Sequence, residues 1–161
     1  MATDELLAKV RAYTGAPAEP PASARSRKAA PAKSPQPAFD DVQLKIFDLS
    51  STNEPILVLT ATAHMPPSPK SESSAPADTQ YFVTLVARND IYNDLHKAFS
   101  NVTDNHHLDA IPRMELVDAV DADGDGRGEL LFRKVSDTGS AYNVYRQIGD
   151  QLWPLFEGTL P

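Results

Sequence analysis

The chain contains no cysteine, which excludes disulfides, thiolate metal sites and cysteine nucleophiles. No run approaches eighteen apolar residues, so no segment is expected to cross a membrane as a helix. Residues 1–15, MATDELLAKVRAYTG, have no continuous apolar h-region and put acids where an export signal needs bases, so no export signal is expected. Basic charge is also in short supply. The net charge is −7, yet residues 1–38 hold six basic and three acidic side chains, so the remainder carries −10. A domain this acidic is unsuited to nucleic acid, whose phosphates are met by Lys and Arg, and better suited to divalent cations. The common catalytic signatures are missing too: there is no Gly-x-Ser-x-Gly elbow, no Gly-rich phosphate loop and no His-Glu-x-x-His. A non-enzymatic domain is the expectation.

What the chain has in excess is proline, 14 residues against 7 glycines, and it is concentrated. Residues 15–38, GAPAEPPASARSRKAAPAKSPQPA, contain no large apolar side chain and cannot offset their ordering entropy by burial, which predicts a disordered linker. Ahead of it, Leu6, Leu7, Val10 and Tyr13 recur at helical spacing, with Thr3 as cap and Gly15 and Pro17 as stop, so residues 1–14 are predicted to form a short helix. A helix that short needs a surface to pack on, so a protein partner through residues 1–14 is expected.

From Phe39 the period changes to two. Val42, Leu44 and Ile46 alternate with polar residues, Ile56–Thr62 and Tyr81–Val86 are rich in β-formers, and a Pro/Ser-rich loop (65–79) lies between them. Residues 90–103 are ambiguous: Ile91, Leu95 and Phe99 have helical spacing, while 97–103 suits a strand. Strands are then predicted at 114–119, 130–135, 142–148 and 152–156. The segment Phe47–Leu57 can be laid on Val120–Leu130 without a gap, at an offset of 73 residues, with Asp48 matching Asp121. An internal duplication is the natural reading, with one four-stranded repeat at about 39–103 and a second at about 112–158 in an all-β domain 39–161.

The chemistry is concentrated in residues 121–129, Asp-Ala-Asp-Gly-Asp-Gly-Arg-Gly-Glu. Acids at alternate positions of a tight loop direct several carboxylates at one centre, and Gly124 and Gly126 permit the positive φ such a curl needs. Calcium is a hard cation taking six to eight oxygens, and the expected ligands are the side chains of Asp121, Asp123, Asp125 and Glu129 with the backbone carbonyl of Arg127. Magnesium, which demands stricter octahedral geometry, is disfavoured. An EF-hand would need Glu at the twelfth loop position, where this chain has Phe132, and helical rather than strand-like flanks.

The stretch VDADGDGRGELLF, 120–132, resembles the calcium-loop repeats of the FG-GAP/VCBS family, found in integrin-type β-propellers and bacterial surface proteins. The resemblance implies a loop joining adjacent strands of a blade, with a structural calcium held by Asp121, Asp123, Asp125, Arg127 and Glu129. It also implies an extracytoplasmic or envelope-associated setting. The Phe-Gly and Gly-Ala-Pro signatures of the full repeat are not present, and two units are too few to close a propeller. The fold expected is therefore two antiparallel four-stranded, blade-like sheets packed together, serving interaction or scaffolding. The alternative is an orphan hydrolase or carbohydrate-binding domain with a site of its own. His106-His107 is expected in a solvated loop, His64 and His96 have no assigned role, and Tyr142, Tyr145, Trp153 and Phe156 are expected in the core rather than on a ligand face.

Overall fold

The structure is a computed structural model and describes residues 36–65 and 79–160. The helix expected at 1–14, nearly all of the linker expected at 15–38 and most of the polar loop at 65–79 lie outside the described residues. Eight strands follow in order: β1 (Ala38–Phe47), β2 (Ile56–His64), β3 (Gln80–Asn89), β4 (Leu95–Asp104), β5 (Arg113–Val120), β6 (Glu129–Val135), β7 (Ser140–Ile148) and β8 (Gln151–Glu157). They form two antiparallel sheets, β1-β2-β3-β4 and β5-β6-β7-β8, and no helix occurs among the described residues. The all-β class and the pair of four-stranded sheets are as the period-two pattern predicts.

Register decides which side chains meet. Val58 stands opposite Val86 and Thr60 opposite Thr84, while Leu130 stands opposite Tyr145 and Phe132 opposite Asn143. Directly opposed residues share a face, so these two sets form the inner faces of the two sheets. Between them lies one core of Leu49, Ile56, Val58, Val86, Met114, Leu130, Phe132 and Tyr145. Phe132 is fully buried and meets Tyr145 edge to face at 6.0 Å, an arrangement favoured by the ring quadrupoles. The Thr84 hydroxyl donates to the Met114 carbonyl at 2.7 Å, a buried tie from one sheet to the other.

Three local outcomes differ from, or resolve, the sequence reading. The ambiguous segment before β4 is a turn and then a strand. Asp90 Oδ1 accepts from the amides of Tyr92 and Asp94, and Asn93 takes a φ of 66°, so helix is forestalled at its first turn. Val42 and Ile46 on β1, whose alternation with polar residues predicts a covered apolar face, are about half exposed. β1 is an edge strand, and its register shifts between Asp40 and Gln43, where Asp41 has a φ of 47°. The aromatic residues of β7 and β8 divide rather than joining the core together. Tyr145 is buried, whereas Tyr142, Trp153 and Phe156 are more than half exposed. Phe156 opposes Val144 and Trp153 opposes Arg146, which places all three rings on the outer face of the second sheet.

Candidate metal site

The strand pair β5–β6 closes at Val120, which opposes Glu129, and residues 121–128 form the loop between them. Gly124 and Gly126 adopt φ of 77° and 83°. A Cβ at either position would meet nothing within 4 Å, so the requirement for glycine comes from backbone conformation and not from crowding. The acidic side chains then fold back on their own backbone. Asp121 Oδ1 accepts from the Gly124 amide at 2.7 Å, and Oδ2 accepts from the Gly126 amide at 3.0 Å. Asp123 Oδ1 accepts from Asp125, Asp125 Oδ1 from Arg127, and Glu129 Oε2 from Ala122 at 2.8 Å. The loop is pinned to its neighbour by the Gly128 amide, which donates to the Leu49 carbonyl at 2.7 Å.

One oxygen of each of Asp123, Asp125 and Glu129 is thus committed to the backbone, and the other points to a common centre. Arg146, on β7, fills that centre. Its Nη2 lies 2.7 Å from Asp123 Oδ2, 3.1 Å from Asp125 Oδ2 and 2.7 Å from Glu129 Oε1, while Nε donates to Glu129 Oε1 at 2.9 Å. Hydrogen bonds to Glu129 and then Asp123 hold the guanidinium well above its ordinary pKa. The bond from Arg146 in turn holds the Asp123 carboxyl below the usual carboxylate range. Glu129 is wholly buried, whereas Asp121, Asp123 and Asp125 are exposed.

Of the five residues expected as ligands, the structure brings ligand atoms of Asp121, Asp123 and Glu129 within 4.8 Å of one another. Asp125 joins them through Arg146. Arg127 contributes its amide to Asp125, and nothing places its carbonyl among the converging oxygens. All the donors are hard oxygens, and the guanidinium nitrogen of Arg146 sits at their centre. With four carboxylates against one guanidinium, the cluster keeps a surplus of negative charge. These residues fit an oxygen-liganded divalent cation.

The loop between β1 and β2 repeats this geometry with most of the charge gone. Ser51 and Asn53 take φ of 55° and 60°, and they precede Gly124 and Gly126 by the same offset of 73 residues that the sequence alignment uses. Asp48 Oδ1 accepts from the Ser51 amide at 2.8 Å, as Asp121 Oδ1 does from Gly124. Ser50 and Thr52, standing where Asp123 and Asp125 stand, bond to each other through their hydroxyls.

Sequence reasoning missed Arg146. Within its strand it is one polar residue in an alternating pattern, and its partners lie 17 to 23 positions earlier. It missed a second charged cluster as well. Arg88 donates to Asp150 at 2.7 Å and to Glu54 at 3.1 Å, and His96 Nε2 lies 2.9 Å from Asp90. The link from Arg88 to Asp150 joins β3 to the β7–β8 turn, and therefore one sheet to the other. His107 is exposed and paired with Asp104 at 2.8 Å. A shallow depression of about 350 Å³, lined by Arg113, Glu115, Arg133 and residues 135–140, holds two carboxylates, one of which, Glu115, is engaged by both arginines. No protein-family model, curated protein or solved structure matches the chain.

Proposed function

We propose that this chain is a calcium-binding β module in which Asp121, Asp123, Asp125 and Glu129 hold a structural ion between β5 and β6, in the service of interaction or scaffolding. The observation that carries the reading is convergence. Carboxylate oxygens from separate points of one short loop meet within 4.8 Å, and their charge is only partly met by the cation already among them. Backbone amides fix one oxygen of each of Asp123, Asp125 and Glu129 and both oxygens of Asp121, so the hard acceptors are held in place by the chain itself. A bound calcium would neutralise the surplus charge and rigidify the hairpin. The resemblance of 120–132 to FG-GAP/VCBS loops points the same way.

A second reading is favoured by Arg146: the loop is complete without metal, closed by its own guanidinium. Thermal unfolding of the full chain in calcium chloride against EDTA, with magnesium chloride as control, separates the two. A ligand that binds the folded state at a hundredfold its dissociation constant adds about 2.7 kcal/mol, which is a rise of several degrees for a domain of this size. A calcium-specific rise is the expected result. Identical melting in all three solutions, at calcium well above any plausible affinity, would leave the Arg146 guanidinium as the cation that meets these carboxylates.

A further inference from the structure

We propose that the outer face of the second sheet binds neutral glycans, taking sugar hydroxyls in the polar depression beside the β6–β7 turn and sugar ring faces on Tyr142, Phe156 and Trp153. The inference gives the interaction proposed above a partner, and it does not depend on a cation in the 121–129 loop.

The chemistry of the depression selects the ligand. Its volume is about 350 Å³, and its lining includes Arg113, Arg133, Glu115 and Asp137 with the hydroxyls of Thr138 and Ser140. Two positive groups stand against two negative ones, a local balance within residues 39–161, which carry −10. Guanidiniums only donate hydrogen bonds, and carboxylates only accept them. A phosphate or carboxylate ligand would answer the arginines and be repelled by the acids, and an ammonium ligand would meet the reverse. Neighbouring sugar hydroxyls donate and accept together without charge, so they complement the whole lining. The planar groups are also fixed in advance. Arg133 Nε and Nη2 donate to Glu115 Oε2 at 2.9 and 2.5 Å, and Arg113 pairs with the same carboxylate while lying 4.6 Å over the Phe82 ring. Arg133 is nearly half exposed even so. Side chains already held in one arrangement lose little freedom when a ligand arrives.

Register carries the site from the depression onto the aromatic rings. Glu115 on β5 opposes Arg133 on β6, and Arg133 opposes Tyr142 on β7, so the three form one row on one face. From Tyr142 the rings run along the strands. Phe156 opposes Val144, two residues further along β7, and Trp153 opposes Arg146, four residues further. At about 3.3 Å per residue this line is about 13 Å long, which exceeds one sugar ring and suits an oligosaccharide. All three side chains are more than half exposed, and contiguous apolar surface of this kind marks binding sites. The face of an aromatic ring is electrostatically negative. Glucose-type rings hold their hydroxyls equatorially, which leaves both ring faces as weakly positive C–H surface that stacks on such rings.

The test titrates the full chain, in EDTA, with cellohexaose, laminarihexaose, maltohexaose and chitohexaose. Heat of binding is recorded together with the emission of Trp153, the single tryptophan of the chain. Trp153→Ala and Tyr142→Ala remove rings from the face, and Tyr92→Ala removes an exposed ring from the β3–β4 turn of the other sheet as a control. Saturable binding of at least one probe with a change in Trp153 emission is expected. Each of Trp153→Ala and Tyr142→Ala should weaken it about tenfold or more, the scale of a central aromatic contact, while Tyr92→Ala leaves it unchanged.

Absence of saturable binding of all four probes up to millimolar concentration would overturn the proposal, as would equal affinity in the parent, Trp153→Ala and Tyr142→Ala. Preference for oligogalacturonate, an acidic glycan, over every neutral probe would overturn the argument from balanced charge. A dimer in sedimentation equilibrium that Trp153→Ala abolishes would assign the face to a second copy of the chain instead. Should Trp153→Ala fail to fold, Tyr142→Ala and Arg133→Met decide, and undiminished affinity in both would sink the idea.

Discussion

The most exposing perturbation of the loop is Glu129→Gln, because Glu129 is the one acid of the cluster that is wholly buried. Its Oε1 accepts from Arg146 at 2.7 and 2.9 Å, and its Oε2 accepts from the Ala122 amide at 2.8 Å. Glutamine preserves the shape but offers only one acceptor. If the amide oxygen stays with Ala122, the NH2 group confronts the donors of Arg146. If the amide is flipped, the Ala122 amide loses its partner. Either way a buried donor is left unpaired and a charge-assisted bond is gone. An unpaired buried group costs about 1–3 kcal/mol, and bonds to charged groups contribute about 1.5–3 kcal/mol. Arg146 keeps Asp123 and Asp125, so the terms do not add fully, and a net loss of about 2–3 kcal/mol is expected. Urea unfolding of the full chain in EDTA measures it as a lower midpoint at unchanged slope, and thermal unfolding should show a drop of roughly 10 °C. The same titration in calcium should show a larger loss, because Glu129 then fails the metal as well. A loss below about 0.5 kcal/mol in EDTA would refute the reasoning, since that is the range of an ordinary surface substitution.

Two further predictions follow from groups elsewhere in the domain. Asn143 faces the core opposite Phe132, is wholly buried, and has no partner among the described residues for either Nδ2 or Oδ1, so Asn143→Leu should be neutral or stabilising by up to about 2 kcal/mol in urea unfolding. A loss above about 1 kcal/mol would show that the amide is satisfied through internal water. The carboxyls of Asp90, Asp104, Asp123 and Glu157 are all held below their ordinary values. The largest causes are the Asp94 amide, the His106 amide, Arg146 and Lys134, respectively. A folded-state value below the unfolded one favours folding above the unfolded value and ceases to do so as pH falls through the folded one. The urea midpoint should therefore decline as pH is lowered past 4.5 and 3.8, the ordinary values of these groups, and Arg146→Gln should remove the share due to Asp123. A midpoint unchanged down to about pH 3 would contradict this.

Much of the molecule was legible in the chain alone. Runs of β-forming residues and alternation of apolar with polar ones are both local, so the spans 56–62, 81–86, 130–135 and 142–148 can be located without reference to anything distant, and each falls within a strand. The 121–129 loop was equally legible, because a positive-φ turn favours glycine locally, and Gly124 and Gly126 are where that preference falls. The segment before β4 was not, since a single Asx turn at Asp90 decides between helix and strand and a helical spacing of Ile91, Leu95 and Phe99 does not register it.

Tertiary structure alone decided which face of each strand is covered. A period of two separates the faces of a strand but does not name the inner one. Tyr145 therefore went to the core while Tyr142, Trp153 and Phe156, on strands equally rich in apolar residues, stayed on the outside. The same holds for the cation in the acidic loop. Acids repel wherever they are crowded, and in the sequence that crowding at residues 121–129 was a reason to expect a cation, read there as calcium. That Arg146 meets the crowded acids follows from strand pairing: β6 between β5 and β7 sets Glu129 and Arg146 on one face across a separation of 17 residues, a distance over which no local pattern carries information.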